Sequence, residues 1–480
     1  MSGASASFIV MMELVKPHAT AYERNAPDPR LVEQALAVSR QSVFWQEEAG
    51  PTVGYPQLTA SLTADLVVVG GGYLGLWSAL LAKLRDPSRR VVLLEAETIG
   101  WAASGRNGGF CEASITHGDT NGQVRWPAEF PVLKRLGVEN LVAFEQNVHD
   151  LGIDCQWERT GVLEVAVEPH QVGWLQEYPS PMGAEETRAI INSPLFLGGD
   201  LNMEIALVQP ARLARELARV ASERGVEIYE NSAATGLHSD GRGVSTSRAG
   251  VRTDQVLLAT NVFPGLLRRT RPLTVPVYDY IVMTEPLSSE QMDAIGWSAR
   301  CGLADMANQF HYSRLTADNR ILYGGYDAIY HAGKKVRPEY ENRPETFHAL
   351  ASQFMATFPQ LEDVRFTHRW AGAIDTCTRF AAFYGTAKKG RVAYAAGFTG
   401  LGVGATRFAA AVLLDLLAGA ENEKTQLEMV RRKPMPFPPE PIASIGINLT
   451  RRSLDRADHR RGQRDLFLRA LDNVGLGFDS

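Results

Sequence analysis

The stretch Asp65-Leu-Val-Val-Val-Gly-Gly-Gly-Tyr-Leu-Gly75-Leu-Trp-Ser-Ala-Leu80 decides the fold. It opens with a continuously apolar run, typical of a central parallel strand that helices cover on both faces. Gly70, Gly72 and Gly75 then follow as G-x-G-x-x-G, which permits a tight turn, a close approach of backbone to a pyrophosphate, and close helix–strand packing. The helix predicted from Tyr73 to Leu84 would direct its N-terminal amides at the phosphates. The stretch therefore predicts a dinucleotide-binding unit.

An acidic residue closes this unit at the expected place. The second predicted strand, Val91 to Leu94, ends at Glu95, whose carboxylate can accept both ribose hydroxyls of an adenosine. A 2′-phosphate would be repelled there, which disfavours NADP. The glycine spacing alone is a weak signal, but strand, turn, helix and acid together are strong. The cofactor contacts predicted from this unit are Gly70, Gly72, Tyr73, Leu74, Gly75, Glu95 and Ala96.

A second glycine-rich loop, Ser104-Gly-Arg-Asn-Gly-Gly109, follows closely. It offers bare amides and side-chain donors near the bound cofactor. A simple Rossmann nicotinamide enzyme would continue with another helix and strand instead. The loop therefore favours a cofactor with more to hold, namely the flavin end of FAD. The contacts predicted here are Ser104, Gly105, Arg106, Asn107, Gly108 and Gly109.

A third glycine turn, Gly397-Phe-Thr-Gly-Leu-Gly-Val-Gly404, lies far along the chain between a predicted strand and a predicted helix. Such a helix start presents free amides and a partial positive charge. Against the pyrimidine edge of a flavin it would stabilise the negative charge that collects there on reduction; a helix cap without a ligand is the alternative. The predicted contacts are Gly397, Phe398, Thr399, Gly400, Leu401 and Gly402, with Ala234, Ala259 and Thr260 from two intervening strands.

Composition excludes several classes of protein. The 480 residues are 45% hydrophobic and 21% charged with a net charge of −5, which is ordinary for a globular chain and disfavours nucleic acid as a partner. The four cysteines lack paired spacing, so we expect neither a disulfide framework nor a metal site, and a cytoplasmic location. No apolar run is long enough to span a bilayer. The short run Phe8-Ile-Val-Met-Met12 is interpreted as an irregular tail.

With these motifs placed, the chain resembles the D-amino-acid-oxidase-like FAD-dependent amine oxidoreductases, which include glycine, sarcosine and gamma-glutamylputrescine oxidases. The Ser-Gly-Arg-Asn-Gly-Gly form is most similar to the gamma-glutamylputrescine-oxidase-like branch. The resemblance implies an α/β fold in which a Rossmann-type FAD-binding domain of the glutathione-reductase type is interleaved with an antiparallel-sheet substrate domain. It extends from about Trp45 to Leu417 and rests on Val69–Leu76, Leu94-Glu95, Ile99–Gly109 and Ala396–Gly402.

The chain is predicted to pass between the two domains several times. The predicted segments are an N-terminal extension, 1–63; the FAD-binding domain, 64–125, 198–268 and 366–425; the substrate domain, 126–197 and 269–365; and a C-terminal tail, 426–480. The extension is either a flap near the active site or a segment packed on the domain surface. Within the tail, residues 451–470 are predicted to form one polar amphipathic helix.

The function that the resemblance implies is oxidation of a C–N bond in an amine or amino acid. Hydride would pass to flavin N5, water would hydrolyse the imine, and O2 would reoxidise the flavin to give H2O2. One alternative is a dehydrogenase of the same fold that passes electrons to a quinone or protein; another is a non-catalytic dinucleotide-binding protein. Some sarcosine-oxidase relatives bind FAD through a cysteine, but Gly372 occupies that place here and Cys377 is out of step, so FAD is expected to be non-covalent.

Four side chains of the predicted substrate sheet are candidate substrate contacts: Tyr278, Tyr280, Arg314 and Tyr326. The planar fork of Arg314 could clamp a substrate carboxylate. A salt bridge between the sheet and the cofactor domain is an equally weighted alternative for that arginine. His311 is predicted to be structural.

Overall fold

Two β-sheets, one of eight strands and one of nine, organise the computed structural model, which describes residues 17–52 and 54–473. The strands are β1 Arg40–Gln41, β2 Leu62–Val69, β3 Val91–Leu94, β4 Phe110–Glu112, β5 Val162–Ala166, β6 Met182–Gly183, β7 Gly198–Asn202, β8 Ile205–Leu207, β9 Val226–Tyr229, β10 Gly236–Leu237, β11 Gly243–Ser245, β12 Gly250–Leu258, β13 Thr274–Thr284, β14 Gly302–Asp305, β15 His311–Leu315, β16 Ile321–Gly325, β17 Phe366–Cys377, β18 Phe383–Ala387 and β19 Val392–Ala396. The α-helices are α1 Ala21–Arg24, α2 Pro29–Leu36, α3 Phe44–Glu48, α4 Tyr73–Arg85, α5 Asp119–Arg125, α6 Phe130–Asp150, α7 Gln171–Trp174, α8 Ala184–Ile190, α9 Pro210–Glu223, α10 Ser289–Ile295, α11 Pro344–Thr357, α12 Gly402–Leu417, α13 Glu423–Gln426, α14 Glu428–Arg431, α15 Ile442–Asp458 and α16 Leu466–Asn473.

The eight-stranded sheet contains the parallel core predicted from the opening stretch. Its parallel strands lie in the order β19–β12–β2–β3–β9, so β2 is central. Both faces of β2 are covered: Leu66 and Val68 pack in one hydrophobic cluster with α4, α9 and α12, and Val67 and Val69 pack in another. This two-sided burial explains the continuous apolar run of β2 and confirms the predicted Rossmann-type domain.

The nine-stranded sheet has the order β1-β17-β13-β16-β15-β14-β5-β7-β6 and is mostly antiparallel, with parallel pairing at β1–β17 and β14–β5. Successive side chains of each strand point to opposite faces. One face, here called the far face, packs Tyr280, Val282 and Leu163 against α11 and α2. The opposite face, here called the near face, carries Ile281 and Trp370 and is turned toward the loop after β3.

Sheet membership moves three predicted domain boundaries. β7 and β17 were predicted to lie in the cofactor domain, but both pair within the nine-stranded sheet. Helix α6 was predicted in the substrate domain, but its Leu136 and Phe144 lie in the core beside the parallel sheet. The physical reason is that the spacing of apolar residues predicts a helix or a strand, but it does not show which sheet that element joins or packs against. β17 illustrates this, because one strand of twelve residues reaches from the nine-stranded sheet to the Gly397 turn.

The described part of the N-terminal extension packs between other elements. β1 pairs with β17, α2 packs on α11, and Phe44 and Trp45 are buried. Helix α2 begins at Pro29, with the Asp28 side chain accepting a hydrogen bond from the Arg30 amide. This packing favours the second of the two predicted roles over a flap. The run Phe8–Met12 lies outside the described residues.

The C-terminal tail differs from its prediction. The single helix predicted over 451–470 is two helices, α15 and α16, because Arg461 and Gly462 adopt positive φ angles of 55° and 73° between them. A positive φ ends a right-handed helix. Across the described residues, no helix is both long and apolar enough to cross a bilayer.

Candidate active site

The first glycine turn has a geometry that only glycine fits. Gly70 has φ of +115°, and a Cβ there would lie 2.4 Å from the carbonyl oxygen of Ala259. A Cβ at Gly75 would lie 1.9 Å from the carbonyl oxygen of Gly70, because α4 packs directly on the turn. Helix α4 begins at Tyr73, and its N-cap Gly72 contributes no side-chain hydrogen bond. The turn therefore presents backbone amides at a helix N-terminus, the donor set that a diphosphate requires.

Glu95 is buried at the carboxyl end of β3 and anchors the turn. Its carboxylate accepts hydrogen bonds from the Gly71 amide at 2.5 Å, the Glu97 amide at 2.9 Å and the Trp101 indole at 3.0 Å. Burial raises the pKa of this carboxyl, and the three donors oppose that rise. Trp101 stacks on Phe263 with ring centroids 5.3 Å apart. Trp101 was not predicted, although a lone tryptophan beside Glu95 in a glycine-rich loop was a usable signal.

The second loop is tied to the first turn and to itself. The Ser104 hydroxyl accepts a hydrogen bond from the Tyr73 amide at 2.9 Å, so the loop meets the start of α4. The Asn107 side chain donates to the Ala103 carbonyl at 3.0 Å and accepts from the Gly109 amide at 2.8 Å. Such side-chain to backbone bonds fix a loop that lacks regular structure. The predicted contacts of this loop therefore lie beside those of the first turn.

Two buried tryptophans from distant parts of the chain also hold the second loop. The Trp370 indole of β17 donates to the Arg106 carbonyl at 2.8 Å, and the Trp45 indole donates to the Asn107 carbonyl at 2.9 Å. The Arg106 guanidinium pairs with Glu341 at 2.6 Å. The nine-stranded sheet and the N-terminal segment thus position the second loop, residues 104–109, which is called the cofactor loop from here on. Sequence reasoning missed both tryptophans, because nothing local connects them to residues 106 and 107.

The third glycine turn is held by a buried aspartate of β17. The Asp375 carboxyl accepts from the Gly397 amide at 2.5 Å and the Phe398 amide at 3.2 Å, and burial raises its pKa to about 7. Gly397 and Gly400 have φ of +78° and +92°, a region that favours glycine. Helix α12 then begins at Gly402 without a side-chain cap.

Contacts of α12 bring this third turn to the other two. A Cβ at Gly404 would lie 2.5 Å from the Glu112 carbonyl oxygen, so α12 packs closely on β4, the strand that follows Gly109. Helix α12 also packs along α4. Neither helix has a side-chain hydrogen bond from its own N-cap residue, although Ser104 binds the Tyr73 amide, and the amides and dipoles at the two helix starts fit the phosphate and pyrimidine ends of a flavin dinucleotide.

The remaining predicted cofactor contacts lie at the carboxyl ends of β9 and β12, the same edge of the parallel sheet. Ala259 donates to the Val69 carbonyl at 2.8 Å, Thr260 begins a turn closed by Phe263, and Ala234 packs beside the parallel sheet. Ligands of open α/β sheets bind at this edge. The other predicted residues stand within the turns already described: Leu74, Ala96, Gly105, Gly108, Thr399 and Leu401.

The near face places a tyrosine–aspartate pair beside the second loop. The Tyr312 hydroxyl donates a hydrogen bond to the Asp279 carboxyl. A Cβ at Gly108 would lie 2.8 Å from the Tyr312 ring, and a Cβ at Gly324 would lie 2.7 Å from it. Asp279 stands directly opposite Gly372, is partly exposed, and has its pKa raised to about 6 by burial. The pair was not predicted, although Asp279 is a lone acid in an apolar strand.

Arg314 also lies on the near face, but its donors are occupied by the protein backbone. The guanidinium is buried and donates to the Val208 carbonyl at 2.6 Å and the Gly109 carbonyl at 3.4 Å. Glu158 lies 4.0 Å away, and burial lowers the pKa of the arginine to about 10. The guanidinium therefore contacts the backbone of the predicted cofactor domain, and the choice between a carboxylate clamp and a salt bridge stays a prediction.

The three predicted substrate tyrosines lie away from the glycine turns. Tyr278 and Tyr280 lie on the far face, where their hydroxyls donate to the carbonyls of Arg337 and Tyr340. Tyr326 stacks on His311 with centroids 5.4 Å apart. These positions do not favour substrate contact, because α11 covers the face that the tyrosines occupy.

His311 lies in a buried network of polar side chains on the far face. Its Nδ1 lies 2.6 Å from Asp305, and its Nε2 lies 3.0 Å from Gln353. Tyr22 also donates a hydrogen bond to Asp305. This network fits the structural role that the sequence predicted for His311.

Comparison with known proteins identifies the family. The family model described as DAO, FAD dependent oxidoreductase, matches residues 65–416. Gamma-glutamylputrescine oxidoreductase of Escherichia coli K12 is 30% identical over 402 residues, covering 79% of this chain and 89% of that protein. Glycine oxidase of Pseudomonas aeruginosa is 26% identical over 332 residues, covering 65% and 82%.

Solved structures show the same fold. L-proline dehydrogenase from P. horikoshii has a TM-score of 0.62 at 17% identity and covers 77% of this chain and 95% of its own. Glycine oxidase from Bacillus cereus has a TM-score of 0.61 at 18% identity and covers 77% and 99%. The predicted resemblance, fold and cofactor are thus confirmed: the chain belongs to the DAO family and is an FAD-dependent oxidoreductase.

Proposed function

We propose that this enzyme oxidises a C–N bond of an amine or amino acid bound against the near face of the nine-stranded sheet. The observation that carries the proposal is the contact between that face and the cofactor loop, made by Trp370 on the Arg106 carbonyl and by Tyr312 on Gly108. When bound, FAD supplies the two-electron acceptor for this oxidation. The names of the relatives, gamma-glutamylputrescine oxidoreductase and glycine oxidase, support the same substrate class.

The chain's own residues would bind and orient the reactants. The amides at the start of α4 would hold the diphosphate, and Glu95 would accept the ribose hydroxyls. The N-terminus of α12 would face the pyrimidine edge of the flavin. Apolar side chains of the near face, among them Ile281 and Trp370, would exclude water from the substrate.

An anaerobic reduction experiment tests this function. Purified FAD-loaded protein would be mixed without oxygen with glycine, sarcosine, L-proline, putrescine or N-acetylputrescine while the visible flavin absorbance is recorded. We expect at least one compound to bleach the flavin, and we expect H2O2 when air is admitted. Bleaching without H2O2 would favour the alternative, a dehydrogenase that uses a quinone or protein acceptor. A flavin that no compound bleaches would contradict the proposal.

We further propose that FAD is bound without a covalent link. Gly372 offers no nucleophile, and the Cys377 thiol donates to the Ala381 carbonyl at 3.2 Å and the Gly397 carbonyl at 3.4 Å. Burial raises the pKa of this thiol, which keeps it protonated and unreactive. Acid precipitation should therefore release all yellow colour into the supernatant. A yellow pellet after washing would contradict this proposal.

We retain the cytoplasm as the proposed compartment. All four cysteines are free and buried. Free thiols fit a reducing compartment, where disulfides are rare. Fractionation of the native cells checks this, with the protein expected beside cytoplasmic markers.

A further inference from the structure

We propose that Asp279 binds the ammonium group of the substrate, so that the site prefers amines that carry no carboxylate on the reacting carbon. This inference rests on the proposed function. Asp279 projects from β13 on the near face, directly opposite Gly372. A Cβ at Gly372 would lie 3.8 Å from the Cβ of Arg106, so Asp279 stands next to the cofactor loop.

The Asp279 carboxylate is held in place by a neutral donor on the near face. One oxygen, Oδ2, accepts the hydrogen bond of the Tyr312 hydroxyl. The residue as a whole is half-buried, and Tyr312 and the strand backbone pack around its carboxyl group. A carboxylate held by a neutral hydroxyl, rather than paired with a base, keeps its negative charge available to a cationic ligand.

Tyr312 is seated so that it can hold this carboxylate. Gly324 lies directly opposite Tyr312 on β16, and a Cβ there would lie 2.7 Å from the ring. On the side of the cofactor loop, a Cβ at Gly108 would lie 2.8 Å from the same ring. Two glycines therefore make room for one ring, and the hydroxyl of that ring reaches Asp279.

Two arginines that contact the backbone beside the cofactor loop already have protein partners. Arg106 pairs with Glu341, and Arg314 donates to the backbone carbonyls of Val208 and Gly109. A substrate carboxylate would therefore meet Asp279 without a free cation to offset the repulsion.

The near face carries further carboxylates in the row of the sheet register that contains Tyr312. The members of this row are Asp200, Glu164, Ala304, Tyr312, Gly324 and Ile281, whereas the next row of the same face contains Arg314 and His368. Glu164 stands two strands from Tyr312, roughly 10 Å away at the usual strand spacing. The row that contains Tyr312 therefore favours ammonium groups over carboxylates.

Two non-reacting ligands test this inference. Neither tert-butylammonium nor 2-aminoisobutyrate has a hydrogen on the carbon that bears nitrogen, so neither can be oxidised. They differ by one methyl group replaced by a carboxylate. The dissociation constant of each would be measured on the FAD-loaded protein by flavin absorbance and by calorimetry. We expect tert-butylammonium to bind at least tenfold more tightly.

Variants separate the charge from the shape of the site. Asp279→Asn should weaken tert-butylammonium binding about tenfold to hundredfold, the usual worth of a hydrogen bond to a charged group. Asp254→Asn makes the same charge change at an exposed position on β12 and should leave binding unchanged. Tyr312→Phe retains the carboxylate and should weaken tert-butylammonium binding less than Asp279→Asn does. If Asp279→Asn does not fold, Tyr312→Phe is measured in its place, and its dissociation constant should rise by more than twofold.

Three results would overturn the inference. The first is tighter binding of 2-aminoisobutyrate than of tert-butylammonium, and the second is no saturable binding of tert-butylammonium. The third is an unchanged tert-butylammonium dissociation constant in Asp279→Asn, or in Tyr312→Phe where that variant takes its place. Because the ligands do not react, these results are independent of turnover. A flavin that no amine bleaches, together with tight tert-butylammonium binding, would instead refute the proposed function alone.

Discussion

Replacement of Trp370 by phenylalanine tests whether the nine-stranded sheet positions the cofactor loop. The Trp370 side chain is 1% exposed, and its indole donates to the Arg106 carbonyl at 2.8 Å. Phenylalanine keeps an aromatic ring in the same cluster but removes the donor. The change therefore acts on one hydrogen bond between the two domains.

The expected cost follows from that bond. A desolvated carbonyl that loses its donor costs about 1–3 kcal/mol. If the lost hydrogen bond destabilises the ordered conformation of the cofactor loop by this amount, the FAD dissociation constant should rise about fivefold to 150-fold, since every 1.4 kcal/mol is tenfold. The constant would be measured by titrating FAD into apoprotein and following flavin fluorescence.

A matched control isolates the effect of this tryptophan. Trp174 is 38% exposed and packs against His170, far from the cofactor loop in the sequence and on a different element. Trp174→Phe should leave the FAD constant within about twofold. An unchanged constant in folded Trp370→Phe, or an equal loss in the control, would refute the reasoning.

Three further predictions follow from the site. Gly75→Ala should abolish FAD binding in otherwise folded protein, because the new Cβ would lie 1.9 Å from the Gly70 carbonyl oxygen, whereas Gly446→Ala, with nothing within 4 Å of its Cβ, should retain bound flavin in the absorption spectrum. Tert-butylammonium binding should weaken as the pH falls through about 6, because Asp279 then becomes protonated while Tyr312, whose pKa is raised, stays neutral; Asp279→Asn should remove this change in binding near pH 6. Arg314→Met should lower the free energy of unfolding by about 1–3 kcal/mol in urea titrations, since it removes the donor to the Val208 carbonyl while the Gly109 carbonyl keeps the Val208 amide, but it should change the KM of an amino acid and of a simple amine by the same factor; a selective effect on the amino acid would favour the carboxylate clamp.

The cofactor half of the site could be predicted because its requirements are local. A positive φ at Gly70, a helix start at Tyr73 and an acid at the end of β3 all lie within one continuous stretch. Glycine is the residue that such a turn selects, so the sequence pattern reports the geometry directly. The same holds for the Gly397 turn, although its anchor, Asp375, lies on another strand.

The substrate half could not be predicted in the same way. The alternation of side chains along a strand puts Tyr278 and Tyr280 on one face of β13, but it carries no information about which face α11 covers. Once α11 packs on the tyrosines, Asp279 is left as the side chain beside the cofactor loop. A residue's role here depends on a helix more than sixty positions away, and no local pattern contains that information.

Anaerobic reduction with two classes of substrate distinguishes whether this FAD enzyme oxidises amines against the near face. The FAD-loaded protein would be mixed in a stopped-flow instrument with putrescine in one experiment and with sarcosine in another, and the rates of flavin bleaching would be compared. We expect rapid bleaching by the diamine, slow or no bleaching by the amino acid, and loss of the faster rate in Asp279→Asn. A flavin that neither compound reduces, or one that sarcosine reduces faster and independently of Asp279, would contradict oxidation of amines at this face.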